Sequence, residues 1–210
     1  MSEELKPTIA KAQIRMANVN DATGILGVYA PYCVKSPVTF EVQPPSVADM
    51  QHRIEAILRQ YPFLVLEGEA GSQHHAGVDW PILAYAYGTK HGERAAYRFS
   101  TDVSIYVRED CIGKGCGKAL YSVLLPLLAA QGYYKAFAGI TVPNPGSQGL
   151  HTHMGFTPIG VFTHVGYKLG EWRDVAWYEK PLRDRVRNPA EPIPIAELLK
   201  GGPFAYLNRG

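Results

Sequence analysis

Three glycines, Gly113, Gly115 and Gly117, lie together near the centre of the chain in the order G-K-G-C-G. An apolar, β-prone run at 105–107 precedes them, and a helical pattern of apolar residues follows from 116 to 131. A strand, a glycine-rich turn and the first turn of a helix present free backbone N–H groups, and the helix dipole favours negative charge there. The stretch therefore predicts a phosphate-binding turn; the alternative is a structural turn that binds no ligand.

Two familiar phosphate-binding motifs do not fit this spacing. A Walker loop needs G-x-x-x-x-G-K followed by Ser or Thr, but Gly113 precedes Gly117 by one residue too few and Ala119 has no hydroxyl. A dinucleotide fingerprint needs G-x-G-x-x-G and an acidic residue about 20 positions later. The glycines instead read G-x-G-x-G, and residues 136–142 contain no carboxylate. Both nucleotide motifs are excluded.

The elements that must position this turn mix strands and helices without strict alternation. Apolar patterns and turn residues predict strands at 13–17, 63–67, 81–87, 99–107 and 135–142, and a closing hairpin at 158–167 and 172–181. Helices are predicted after a cap at Asn20 or Asp21, after a capping box at Ser46 and Asp49, and at 116–131 and 147–154. This order favours an α+β fold with a mixed sheet over a doubly wound one.

Composition and charge exclude several classes of protein. With 210 residues, 46% of them hydrophobic and 19% charged, the chain suits one domain, assigned to 1–182, with a C-terminal extension at 183–210. The extension holds five basic and three acidic residues and so accounts for the whole net charge of +2. The formally neutral domain argues against nucleic-acid binding. No apolar run is long enough for a membrane span, and the polar N-terminus does not resemble a signal peptide.

Cysteine and histidine usage predicts neither disulfides nor a metal site. Cys33, Cys111 and Cys116 lack disulfide or zinc spacing and are expected to be reduced thiols in a cytoplasmic protein. His74 and His75 lie in a long polar loop at 68–79 without a nearby cysteine, and they are interpreted as surface residues.

Four stretches, taken in order, resemble the GCN5-related N-acetyltransferase (GNAT) superfamily, and more closely its phosphinothricin and methionine sulfoximine acetyltransferase branch. They are A-Y-R-F-S-T-D-V-S-I-Y-V (96–107), G-K-G-C-G-K-A-L-Y (113–121), V-P-N-P-G-S-Q-G-L-H-T-H-M-G-F (142–156) and G-Y-K-L-G-E-W-R-D-V (166–175). The resemblance runs from about Ile14 to Leu182. It implies a mixed, mostly antiparallel sheet that splays open midway, is flanked by helices and holds acetyl-CoA in the gap.

The resemblance also implies which residues bind acetyl-CoA. The backbone of Ile105, Tyr106 and Val107 would pair with the pantetheine arm, and Asn144 would hydrogen-bond to it. The pyrophosphate would lie in the loop formed by Gly113, Lys114, Gly115, Cys116, Gly117 and Lys118. Ile112 stands where the superfamily usually has Gln or Arg, which predicts weaker binding of acetyl-CoA.

Acetyl transfer needs a neutral amine, a stabilised oxyanion and a leaving thiolate. By the resemblance, Asp102 takes the place of the branch's catalytic glutamate as general base; being one methylene shorter, it is expected to work through a water. His151 matches a family histidine and is expected to assist proton transfer or orient the substrate. The alternatives are a surface carboxylate and a packed histidine.

Three further residues match positions that line the amino-acid pocket of the family. They are Phe40, Arg94 and Tyr97, with the arginine fork suited to a carboxylate or a phosphinate and the phenylalanine providing an apolar wall. The sequence therefore predicts an acetyl-CoA-dependent N-acetyltransferase that acts on the α-amine of a small amino acid or analogue by direct transfer. Phosphinothricin, methionine sulfoximine and methionine sulfone are the implied substrates.

Two alternative functions remain open at this point. One is acetylation of another small amine, such as a polyamine or an aminoglycoside; the other is a non-catalytic acetyl-CoA-binding protein. The resemblance implies a homodimer, and neither a nucleic acid nor a membrane is expected as a partner.

Overall fold

The computed structural model of the chain describes residues 12–68 and 82–201. Its strands are β1 (Gln13–Met16), β2 (Phe63–Glu67), β3 (Ile82–Lys90), β4 (Ser100–Val107), β5 (Lys135–Val142), β6 (Thr157–Lys168) and β7 (Glu171–Pro181). Its helices are α1 (Ala22–Lys35), α2 (Val47–Leu58), α3 (Cys116–Gln131), α4 (Pro145–His153) and α5 (Ile195–Gly201). The predicted 68–79 loop, with His74 and His75, lies outside the described residues apart from Gly68.

The seven strands form one sheet in the order β1-β2-β3-β4-β5-β7-β6. Every neighbouring pair is antiparallel except β4 and β5, which are parallel. The parallel pair is short, with Ser100 opposite Lys135, Thr101 opposite Ala136 and Asp102 opposite Phe137. The predicted α+β fold with a mostly antiparallel, splayed sheet is therefore confirmed.

Helices cover both faces of the sheet, so strand side chains alternate between two cores. On one face α3 packs through Leu120, Leu124 and Leu128 against alternate residues of β3 to β5. On the other face α1 and α2 bury Ile25 and Ile54 against the aromatic side chains of β2 and β3. In β4 the register with β3 places Asp102 on the α1–α2 face and its neighbours on the α3 face.

The helix ends follow local sequence signals in most places. Ser46 caps α2, with its hydroxyl accepting from the Asp49 amide at 3.1 Å, as the capping box predicted. Gly132 ends α3 in a left-handed conformation, with φ of 112°. The start of α1 differs from the prediction: Asp21 stands at its N-cap without a side-chain capping bond, and Asn18 instead caps a preceding short turn at 19–21.

The described part of the C-terminal extension packs onto the domain. Ile195 and Leu199 of α5 are buried in the core beside α3, and Glu191 pairs with Arg98 at 2.8 Å. The sequence alone left this packing open. Among residues 12–68 and 82–201, no helix has the length and hydropathy to cross a membrane.

Candidate active site

The sheet divides where β4 and β5 stop pairing. Asp102 and Phe137 are the last paired residues, and beyond them the two strands diverge around a cavity. The cavity is lined by Val38, Val103, Ser104, Ile105, Tyr106, Tyr121, Ala138, Gly139, Ile140, Thr141, Asn144, Ser147 and His151. We call this divergence of β4 and β5 the fork. Four predicted residues lie at the wall of its cavity: Ile105, Tyr106, Asn144 and His151.

The edge of β4 that faces the cavity is open to a ligand strand. From Val103 to Val107 the described pairing of β4 is with β3 only. The carbonyl of Val107 accepts a hydrogen bond from the Tyr32 hydroxyl at 2.6 Å, so that group already has a partner. The unpaired edge at 105–107 is compatible with the pantetheine pairing, which stays a prediction.

The glycines of the turn at 113–117 are favoured for two different structural reasons. Gly113 and Gly115 have φ of 77° and 86°, a left-handed conformation that favours glycine, and a Cβ on either would meet no atom within 4 Å. Gly117 is different, because a Cβ there would lie 2.7 Å from Leu150 of α4. The turn therefore leaves open space at Gly113 and Gly115, while Gly117 allows α3 and α4 to pack closely.

The first turn of α3 begins directly after Gly115. N–H groups of the first turn have no carbonyl four residues earlier in a helix to accept them, so they are available to an anion. The Cys116 side chain is buried, which leaves its backbone as the part that can reach a ligand. Lys118 is exposed and Lys114 half-buried, so both can add positive charge beside these amides.

A hydrogen bond that the sequence did not indicate joins Asp102 to His91. His91 Nδ1 and Asp102 Oδ1 are 2.6 Å apart, and the two side chains are 21% and 28% exposed. Burial raises the pKa of Asp102, while the hydrogen bond to His91 acts in the opposite direction. The His91 ring also stacks on Phe137 with centroids 4.1 Å apart, and Tyr97 meets it edge-on at 5.6 Å. Asp102 and Tyr97 were predicted from motif positions. His91 lies outside every motif and contacts both of them.

His151 is held on both ring nitrogens. Its Nδ1 lies 2.8 Å from the Ser147 carbonyl and so must carry the proton, and its Nε2 lies 2.9 Å from the Tyr121 hydroxyl and so accepts from it. The side chain is buried, which lowers the pKa of His151 and keeps the ring neutral. Burial likewise raises the pKa of Tyr121, so its hydroxyl keeps its proton at the cavity wall. His151 thereby fixes the orientation of Tyr121.

His151→Phe should destabilise the protein by about 1–3 kcal/mol at neutral pH, because the buried Tyr121 hydroxyl loses its acceptor. The loss should shrink on acidification. In the unfolded chain His151 binds a proton below pH ~6.5, whereas burial lowers its pKa in the folded chain. The wild type therefore loses stability as the pH falls below that value. The variant has no histidine at 151, so it does not show this loss. Urea unfolding at pH 7.5 and 5.5 measures both effects. His153→Phe, an exposed position on the same helix, is the control, and equal losses in both variants would contradict the role of His151.

The end of β6, at the tip of the β6–β7 hairpin, is hydrogen-bonded to α1 and to the loop between α1 and α2. Lys168 is only 4% exposed, and its Nζ donates to the carbonyls of Tyr32, Thr39 and Glu41 at 3.1, 2.7 and 2.8 Å. Nearby, the Phe40 ring lies so close to Gly166 that any side chain at 166 would overlap it. The loop that carries Phe40 also supplies Val38 to the cavity wall. Phe40 itself does not line the cavity, and its place in the amino-acid pocket stays a prediction.

Arg94 stands apart from the other predicted residues. It precedes a short helical turn at 95–97 and is exposed, and within the described part of the chain its side chain has no hydrogen-bond or ion-pair partner.

Across residues 12–68 and 82–201, no group of three or more His, Cys, Asp or Glu side chains could hold a metal ion.

Comparison with known proteins identifies the family of this arrangement. A family model described as the acetyltransferase (GNAT) domain matches residues 14–177, which include the fork, the glycine turn and most of the hairpin. The chain belongs to the GNAT acetyltransferase family. It is thus an acyltransferase, and the predicted resemblance is confirmed.

Relatives of this GNAT acetyltransferase carry names of the predicted branch. It is 33% identical over 84% of its length to the phosphinothricin N-acetyltransferase of Streptomyces coelicolor, of which 99% is covered. It is 33% identical over 81% of its length to the L-methionine sulfoximine/L-methionine sulfone acetyltransferase of Pseudomonas aeruginosa, of which 95% is covered. The phosphinothricin acetyltransferase of Sinorhizobium meliloti, solved in complex with AcCoA, superposes with a TM-score of 0.77 at 32% identity, covering 87% of this chain and 95% of that one.

Proposed function

We propose that this GNAT acetyltransferase transfers the acetyl group of acetyl-CoA to the α-amine of a small amino acid or amino-acid analogue, of the phosphinothricin, methionine sulfoximine or methionine sulfone type. The observation that carries the proposal is the fork, since the edge of β4 loses its β5 partner just beyond Asp102 and then lines one cavity together with Asn144 and His151. The names of the relatives support the substrate class.

The residues around the gap fit the parts of acetyl-CoA. The open space at Gly113 and Gly115, with the first-turn amides of α3, suits the pyrophosphate. The strand edge at 105–107 suits the pantetheine amides. Asn144 uses its side-chain oxygen to accept from the Ser147 amide at 3.1 Å, which leaves its NH₂ group to donate to a pantetheine carbonyl.

The chemistry we propose is direct transfer. The amine nitrogen attacks the thioester carbonyl, a C–N bond forms, the C–S bond breaks and the thiolate leaves. An ammonium must first lose a proton, and the Asp102 carboxylate supplies the negative charge that draws it away, directly or through a water. A backbone N–H near Val107 on the open edge would stabilise the oxyanion. His151 contributes by accepting the proton of the Tyr121 hydroxyl, which fixes the orientation of that side chain at the cavity wall.

The substrate-binding residues belong to the same proposal. Tyr97 lies against His91, beside Asp102, and Phe40 lies on the α1–α2 loop that supplies Val38 to the cavity wall. Arg94 is exposed on the turn that leads to Tyr97, with a guanidinium free to take a carboxylate or phosphinate.

Thiol release from acetyl-CoA tests this function directly. A panel of amino acids, phosphinothricin, methionine sulfoximine, methionine sulfone and polyamines should show release with the amino-acid group and little with the polyamines. Release with polyamines alone would favour the other-amine alternative. If calorimetry shows that acetyl-CoA binds and no amine releases thiol, the protein is a non-catalytic acetyl-CoA-binding protein and the proposal fails.

We also propose a cytoplasmic homodimer. The edge strand β6 exposes apolar side chains, each at least half accessible: Ile159, Val161, Phe162, Val165 and Tyr167. Such a surface favours association with a second copy. Light scattering should give twice the chain mass of 23.1 kDa, and a mass of one chain would contradict the dimer.

The three cysteines are free thiols, which fits the proposed cytoplasmic location, a reducing compartment. Recovery of the protein outside the cytoplasm on cell fractionation would contradict that location.

A further inference from the structure

The strongest unassigned feature of the site is the pair formed by His91 and Asp102. The two residues lie on either side of the β3–β4 connection, and Thr89, opposite Asp102 in the sheet, brings them together. Their 2.6 Å contact joins a carboxylate to an imidazole at the fork, beside the predicted substrate residue Tyr97.

We propose that His91 is the group that takes the proton from the substrate amine, and that Asp102 orients its ring and stabilises the resulting imidazolium. The proposal rests on the acetyl-transfer function proposed above and assigns a proton acceptor within it. It makes the carboxylate and the imidazole one functional unit, in place of a carboxylate acting alone.

The hydrogen bond determines which nitrogen of His91 is basic. An ionised carboxylate can only accept, so Nδ1 must carry the proton that it shares with Asp102 Oδ1. In the neutral ring Nε2 then has the lone pair, and among the described residues it has no hydrogen-bond partner. His91 differs in this respect from His151, whose two nitrogens are both engaged by the protein.

Packing fixes the ring at the place where the strands separate. Phe137, on which His91 stacks with an interplanar angle of 13°, is the last residue of β5 that pairs with β4. Tyr97 meets the ring at 85° and limits its rotation. The His91 side chain keeps 21% of its surface accessible, so a proton taken up at Nε2 can pass to solvent.

The chemistry of the two groups favours the imidazole as acceptor. A general base works best when its pKa lies near the working pH, and an imidazole ordinarily titrates closer to neutrality than a carboxylate. An N–H bond of the ammonium breaks, the proton bonds to Nε2, and the positive charge passes from substrate to imidazolium beside the ionised carboxylate. The imidazole also extends the reach of Asp102, whose side chain is one methylene shorter than a glutamate.

Other charged groups near the pair are neutralised by their own partners. Lys90 pairs with Glu93 at 2.7 Å on the same turn, and Lys135 of β5 pairs with Glu179 of β7 at 2.8 Å. Lys135 Nζ lies 5.8 Å from the centre of the Phe137 ring. Burial raises the pKa of the Tyr61 phenol, and the charge of Asp102 acts in the same direction. Asp102 is therefore the charge that acts most directly on His91.

Two variants separate proton uptake from positioning. His91→Asn keeps an N–H that can donate to Asp102 but cannot accept a proton, and His91→Phe keeps the stack on Phe137 without the hydrogen bond. Both should lower kcat/KM for the amine by about 10²-fold and leave the KM for acetyl-CoA within about twofold. Both should also change the shape of the pH profile of the rate. His52→Asn, an exposed histidine on α2, is the control.

Rescue by asparagine would overturn the proposal. If His91→Asn keeps wild-type turnover and pH profile while His91→Phe does not, His91 only positions Asp102. A second measurement is independent of turnover: ¹⁵N NMR of the resting enzyme should show His91 protonated at Nδ1, and the Nε2 tautomer would contradict the dyad. Absence of thiol release by the wild type would instead count against the proposed function.

Discussion

Asp102→Asn should lower kcat for amine acetylation by about 10²- to 10⁴-fold, with the fold intact. Asparagine keeps the size of the side chain and an oxygen that can accept from His91 Nδ1, so the contact at 2.6 Å can persist. What disappears is the negative charge that supports proton removal. The KM for acetyl-CoA should change little, because the glycine turn and the 105–107 edge are untouched.

The same substitution should leave stability unchanged or raise it slightly. Burial raises the pKa of Asp102 above its ordinary value, so the ionised carboxylate costs stability that the protonated one does not. That cost is absent below the ordinary aspartate pKa and grows as pH rises through the raised pKa. Asparagine removes it, so the variant should gain relative to the wild type at pH 7 and less at pH 4. A loss of activity with no loss of stability is typical of a residue kept for function.

Steady-state thiol release and thermal unfolding at both pH values measure the two effects. Glu93→Gln is the matched control, since it removes a carboxylate of the neighbouring β3–β4 connection that is 93% exposed and paired with Lys90. Turnover of Asp102→Asn within threefold of wild type would exclude Asp102 from proton transfer. A large drop in melting temperature would assign it a structural role.

The position of Asp102 was predictable because it depends on local patterns. A strand at 99–107, followed by a glycine turn and a long helix, sets the order of the elements, and the motif then gives each residue its place. His91 was not predictable in this way, since it follows a strand without belonging to any motif. The signal that could have revealed it is the hairpin register, because pairing of β3 with β4 brings residues near 90 opposite residues near 101.

The glycine turn shows the limit of motif reasoning at single residues. G-K-G-C-G predicted three glycines that admit a ligand, and the left-handed, open positions of Gly113 and Gly115 agree with that use. Gly117 has another cause, contact with Leu150, which lies 33 residues later on a helix whose packing the sequence does not specify. Contacts between elements distant in sequence decide such details.

Lys168 is the other residue whose importance only the tertiary structure reveals, since its three acceptors lie 127 to 136 residues earlier in the chain. Its ammonium donates one proton to each of three carbonyls and so fixes the α1–α2 loop to the hairpin. The loop carries Phe40 and supplies Val38 to the cavity wall. The conformation of this border of the site therefore depends on one buried side chain.

Lys168→Met should cost about 3 kcal/mol of stability, because methionine fills similar space and leaves buried carbonyls without donors. For a domain of this size that corresponds to a fall in melting temperature of roughly 6–12 °C. The KM for the amine should rise several-fold as the Phe40 loop loosens, whereas the KM for acetyl-CoA should change less, since the glycine turn lies on another part of the fold.

Thermal unfolding and initial rates with each substrate varied in turn measure these effects. Lys180→Met, on β7 of the same hairpin, removes an equal charge without breaking any of the three carbonyl contacts and should leave both quantities close to wild type. If Lys168→Met unfolds like Lys180→Met, the three hydrogen bonds contribute no net stability. If it loses stability while the KM for the amine stays constant, the loop does not shape the amine site, and Phe40 loses its proposed role.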